Sequence, residues 1–199
     1  MLTCSNFVKS LPDSFLFLIV AFGFMSCGND HPVDSSVGLT PIKSNIISTK
    51  ENDQRFLVRA TEMKYEQIYL GKLVQQRSGS EEVRQLAKMI EESNREEKSS
   101  IASLAIMKSI GVPSAATKNA LDAYDKLNEA SVEDFDVTYL DQVIQGYKEA
   151  INLFENATRE NLDPEIHSLA LAMLPDMRNH LSKAMELNTH MNPLSELVR

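Results

Sequence analysis

Apolar residues recur every three and four positions from Asp53 almost to the end of the chain, the period of helices that each bury one face. Phe56, Ala60, Met63, Gln67, Leu70 and Val74 form a first stripe, ended by Gly79. Ser80-Glu81-Glu82 then offers a hydroxyl cap followed by acids at the positive end of a helix dipole. Val83, Leu86, Ala87, Ile90, Ile101, Leu104, Ala105 and Ile110 carry the second stripe to a stop at Gly111 and Pro113. A shorter segment, Thr117 to Ala130, carries Leu121, Tyr124 and Leu127 and reads as a connecting helix. Ser131-Val132-Glu133-Asp134 has the form of a capping box with Asp in place of Glu. It leads into a third long stripe of Phe135, Tyr139, Val143, Gly146, Tyr147, Ile151 and Phe154. The fourth starts at Asp163-Pro164-Glu165, a cap followed by proline in the first turn, and runs to about Met191. Pro175 lies inside it, where a kink is expected.

No stretch keeps the two-residue alternation of a half-buried strand, so the fold class is all-α. Four long amphipathic helices with short first and last connections predict an antiparallel four-helix bundle over residues 53–192, followed by a tail, 193–199. The short helix between the second and third long ones either lids one end or belongs to a full crossover, and the pattern leaves both open.

The N-terminus is a separate object. Five of the eight Phe precede Cys27, and after Lys9 an apolar run from Phe15 to Ser26 has the length of a secretory signal core. It is too short to span a hydrocarbon layer of ~30 Å. The run ends Phe24-Met25-Ser26-Cys27-Gly28, which resembles a bacterial lipoprotein box. Residues 1–26 are therefore expected to be a lipoprotein signal peptide, Cys27 the lipidation site, and 27–52, polar and without helical period, a flexible tether. Cys4 falls in the removed segment, so no disulfide is expected. Two or more acyl chains hold a domain at a membrane surface, each buried methylene contributing about 0.8 kcal/mol. Membrane contact through this lipid, at the cell envelope facing the periplasm or the cell surface, follows.

A net charge of −8 argues against nucleic acid as a partner, which clustered Lys and Arg would have to hold. A phosphate loop, His-Glu-x-x-His, Gly-x-Ser-x-Gly and Cys-x-x-Cys are all missing, so no catalytic residue and no cofactor are expected. A di-iron bundle needs Glu-x-x-His on two helices, and none occurs. His180, between Met177, Leu181 and Ala184, falls on an inner face, either as a buried histidine bonded to a tyrosine or carboxylate or as a ligand or proton-transfer group with Glu66, Ser93 or Tyr147 in reach. The candidate bundle-centre polar site is thus Glu66, Ser93, Tyr147 and His180. Convergence of Glu62, Glu66 and His180 would favour a metal. The run Glu91-Glu92 with Arg95-Glu96-Glu97-Lys98 reads as a solvated face, and the seven Met after the leader as core filler.

Asp53-x-x-Phe56, Glu66 with Leu70-Gly71-Lys72-Leu73, Val83 to Ile90, Phe135-Asp136-x-x-Tyr139 and Leu174-Pro175-x-x-x-x-His180-Leu181, in this order, resemble the DUF4142 family of bacterial envelope proteins. The resemblance implies a ferritin-like helical bundle. It also implies histidines in the middle of the second, third and fourth long helices. At the first two of these this chain has Ser93 and Tyr147, leaving His180 alone, so no metal ligand set is expected. The functional expectation is a lipid-anchored envelope protein with a binding or structural role toward an unidentified protein partner, more a non-enzyme than an enzyme. The alternative is a ferritin-like metal-binding or redox protein with a degenerate site in the bundle centre.

Overall fold

The structure, a computed structural model, describes residues 40–160 and 162–191, with side chains from residue 49 onward. These form five helices: α1 (Thr40–Arg77), α2 (Glu81–Met107), α3 (Lys118–Asn128), α4 (Phe135–Ala157) and α5 (Pro164–Met191). No strand occurs among the described residues. The expected leader, Cys27 and the tail from 193 lie outside the described residues.

α1 begins at Thr40, ahead of the expected Asp53, so residues 40–52, expected as tether, are helical. Pro41 sits in the first turn, where its missing N–H costs nothing, and no second proline follows to stop the helix. Asp53 is buried, and its carboxylate accepts the backbone N–H of Asp163 at 3.0 Å, tying α1 to the start of α5.

Local chemistry fixes most of the other ends. Ser80 Oγ accepts Val83 N–H ahead of Glu81 and Glu82, and Ser131 Oγ accepts Asp134 N–H ahead of α4. Asp163 Oδ1 accepts Glu165 N–H at 2.9 Å with Pro164 in the first turn of α5. Pro175 is accommodated within a continuous α5. The end of α2 differs from expectation, because Ser109 and not Gly111 makes the stop. Ser109 takes a left-handed φ of 55°, while Ile110 N–H bonds Ala105 O and Ser109 N–H bonds Ile106 O, the paired bonds of a Schellman cap.

The long helices close a ring of contacts in the order α1, α2, α5, α4. Neighbours run antiparallel. Lys108 at the end of α2 pairs with Asp163 and Glu165 at the start of α5, and Phe56 early in α1 meets Phe154 late in α4 at 5.0 Å. At the opposite end Ser80 N–H reaches Asp136, and the Arg77 guanidinium lies over the Phe135 ring and bonds the carbonyl of Asn128. Residues 108–134 therefore carry the chain from one end of the ring to the other. α3 lies along α1 and is a crossover rather than a lid.

The four stripes meet in one apolar core from Phe56 to Ala184. Met63, Met173 and Met177 fill it as expected, whereas Met107, Met185 and Met191 are exposed. Gly71 permits the close approach of α1 and α2. A Cβ there would stand 2.9 Å from the backbone carbonyl of Ala87 and 3.1 Å from Glu91 Cβ. Gly71→Ala is expected to lower stability by about 1–3 kcal/mol despite alanine's better helix propensity, since a backbone carbonyl cannot swing aside; urea denaturation measures it.

Candidate functional site

Midway along the ring every stripe turns polar. α1 contributes Gln67, α2 Asn94, α4 Tyr147 and α5 His180, and all four are buried. The Tyr147 hydroxyl accepts from Asn94 Nδ2 at 2.9 Å and lies 2.9 Å from His180 Nδ1. Asn94 Nδ2 also donates to the Ile90 carbonyl at 2.7 Å. Burial is the main force that pulls the His180 pKa down to about 4, outweighing the attraction of Asp176. The imidazole is therefore neutral at pH 7, and its Nδ1 shares one hydrogen bond with the Tyr147 hydroxyl. Burial likewise raises the Tyr147 and Tyr139 hydroxyls above the usual tyrosine range.

Beside this layer Lys64 and Glu97 form a buried ion pair between α1 and α2, with the Lys64 ammonium 5.3 Å from the centre of the Phe154 ring. Desolvation lowers the Lys64 pKa, and Glu97 opposes that by holding the charge. Glu91 and Glu97, both buried, thus depart from the solvated face expected for their run, while Arg95 with Glu91 and Lys88 with Glu92 pair four residues apart along α2.

Of the residues singled out in the sequence, Tyr147 and His180 come together. Ser93 is half-buried and takes no part, and the neighbouring Asn94 fills the place assigned to it. Glu66 points into a cleft between α1, α3 and α4, of about 370 Å³, whose walls include Asp141, Gln142 and Glu149. Glu62 pairs with Arg59. The convergence of Glu62, Glu66 and His180 on one point therefore does not occur. His167 is spent on the Thr158 carbonyl. Behind the outer cleft, sharing Glu66, Gly146 and Glu149 with it, a narrow inner cavity of about 20 Å³ reaches Gln67, Asn94 and Tyr147.

Among the described residues no three His, Cys, Asp or Glu side chains gather as metal ligands. The centre offers one imidazole whose Nδ1 is already bonded, one phenol, one carboxamide and a carboxylate neutralised by Lys64. That set does not fit the carboxylates and Glu-x-x-His pairs of a di-iron centre.

A family model described as "Domain of unknown function (DUF4142)" matches residues 43–187. The chain belongs to the DUF4142 family. Its matched span starts inside α1, upstream of Asp53, in keeping with the early start of that helix. No curated protein matches the chain. Two solved structures share the fold. One is a DUF305 fragment from Deinococcus radiodurans, at 16% identity and TM-score 0.62, covering 70% of this chain and 96% of that one. The other is a putative secreted DUF305 protein from Streptomyces coelicolor, at 15% identity and TM-score 0.61, covering 71% and 92%. At these identities they speak for the helical fold alone.

The depressed His180 pKa makes stability depend on pH. The unfolded imidazole takes a proton near 6.5 while the folded one refuses it until about 4. Its contribution is therefore complete above pH 6.5 and is lost as pH falls toward 4, at up to about 1.4 kcal/mol per pH unit. Denaturation of the parent and of His180→Gln across this range is expected to show a difference that shrinks steadily as pH falls.

Proposed function

We propose that this DUF4142 protein is a lipid-anchored component of the bacterial cell envelope whose ferritin-like four-helix bundle serves as a binding module and not as a catalyst. The observation that carries the binding reading is the bonded state of the bundle centre. The Tyr147 hydroxyl and the His180 Nδ1 are spent on each other, and the Lys64 ammonium is spent on Glu97, so the groups a bundle enzyme would present to substrate are engaged inside the core. An accessible polar cleft lies instead at the side, beneath α3. A ferritin-like metal centre would need Glu66 and His180 at one point, and they face different spaces.

Anchoring rests on the signal-like run that ends at Ser26-Cys27-Gly28. No helix among the described residues is long and apolar enough to cross a membrane. One protein of the same fold is described as a putative secreted protein. Expressed in a bacterial host and fractionated, the parent chain is expected in the membrane pellet, with a diacylglyceryl group on an N-terminal Cys27. Cys27→Ala is expected to lose that mass and keep residues 1–26 uncleaved. Cleavage of Cys27→Ala at the same place, or an unmodified parent Cys27, would contradict the anchor.

A further inference from the structure

The polar layer is satisfied on one side and open on the other. Oε1 of Gln67 and Oδ1 of Asn94 have no hydrogen-bond partner, on side chains only 6% and 1% exposed, and both residues line the inner cavity. The orientation of Asn94 is forced, because the Ile90 carbonyl can only accept and so must face the amide nitrogen. Whatever fills this cavity has to donate hydrogen bonds, since buried acceptors left bare are costly.

Its wall adds a charge. Glu66 makes no hydrogen bond or ion pair among the described residues, and burial pushes its carboxyl above the usual range against the pull of Arg59. Two cations near it are committed elsewhere, while Lys126 on the outer wall of the cleft makes no ion pair among the described residues. Arg59 lies 3.4 Å from Glu62 and 3.9 Å from Glu149, and Lys64 is held by Glu97. Gly146 keeps the entrance open, because a Cβ there would fall 2.8 Å from Gln67 Nε2 and 3.9 Å from Glu66 Oε1.

We propose that the cleft between α1, α3 and α4 binds a small primary aliphatic amine, its ammonium in the inner cavity donating to Gln67 Oε1, Asn94 Oδ1 and the Glu66 carboxylate. An ammonium carries three donors and a positive charge, which matches two bare carbonyl oxygens and one unpaired carboxylate. A water molecule, with two donors and no charge, would satisfy the carbonyls and leave Glu66 unpaired. About 20 Å³ suits a group of that size and no larger one, so the carbon chain lies outward. The outer cleft, about 370 Å³, takes a chain of a few carbons. There Asp141, whose Oδ1 already accepts from Asn188 Nδ2 at 3.0 Å and whose Oδ2 remains, and Gln142, whose two amide atoms are buried without partners, receive a second polar or cationic end, while Lys126 on the same wall is exposed to solvent. A short diamine fits both ends.

This assignment rests on the binding-module reading and is independent of the lipid anchor. The test is calorimetric titration of the full chain in detergent with putrescine, and with 1,4-butanediol as its uncharged counterpart. Saturable one-site binding of putrescine is expected, with no heat from the diol and at least a tenfold loss of affinity in Glu66→Gln and in Gln67→Leu. The Gln67→Leu variant keeps or raises the melting temperature, since it removes a bare buried acceptor, so its loss of binding is not a loss of fold. Affinity is also expected to fall as the solution is acidified through the raised Glu66 pKa. Putrescine heats no larger than those of the diol, as for a cavity that holds only water, would overturn the proposal, and so would undiminished binding by Glu66→Gln. Either failure leaves the Cys27 result standing, and a failed Cys27 result leaves amine binding standing.

Discussion

The Tyr147 hydroxyl is the joint on which the bundle centre depends. It accepts from Asn94 on α2 and hydrogen-bonds His180 Nδ1 on α5, so one atom of α4 links three of the four long helices. In a core otherwise built of Leu, Ile, Val, Ala, Phe, Met and Tyr139, pairing such groups matters, because an unpaired buried donor or acceptor costs about 1–3 kcal/mol. Lys64 is paired in the same way with one carboxylate oxygen of Glu97 between α1 and α2. Apolar stripes that repeat every seven residues could slide past each other by a heptad at modest cost. A polar layer that must meet its own partners cannot, and it thereby sets the register of the four helices.

The same constraint turns the molecule's chemistry outward. With His180 neutral and bonded, and Lys64 neutralised by Glu97, the centre acts as structure. What remains is lopsided. Gln67 and Asn94 leave acceptors bare on the side facing α1 and α4, and over that side the crossover lays α3, whose Ala123 and Lys126 help form the cleft wall. An end lid would have left this flank open, so the topology of the middle connection and the location of the cleft are one fact.

Much of this was legible in the helical period. The first stripe, Phe56, Ala60, Met63, Gln67, Leu70 and Val74, is buried as a set, Gln67 included. His180 was placed on an inner face by the apolar residues around it. The second apolar stripe has a gap between Ile90 and Ile101. Continuing its alternating four- and three-residue steps fills the gap with Asn94 and Glu97, both buried, and Ser93 and Glu66 each lie one residue before the buried Asn94 and Gln67. Polar identity hid these positions, since a charged or amide residue on a helix is ordinarily a surface residue. The start of α1 is hidden in the sequence because Ser, Asn, Thr and Lys between Pro41 and Asp53 resemble linker, although none of them stops a helix. The crossover was beyond reach, because its direction depends on which ends meet and not on any local pattern.

His180 is a neutral imidazole committed to the polar layer. The most direct measurement is a long-range proton–nitrogen NMR spectrum of the full chain with labelled histidine. The His180 signals, identified by their absence in His180→Gln, are expected to be those of a neutral imidazole, unchanged from pH 7.5 to 6 and unchanged on addition of zinc or iron(II). A His180 imidazolium signal near pH 6, or a shift of either His180 nitrogen on addition of metal, would contradict this.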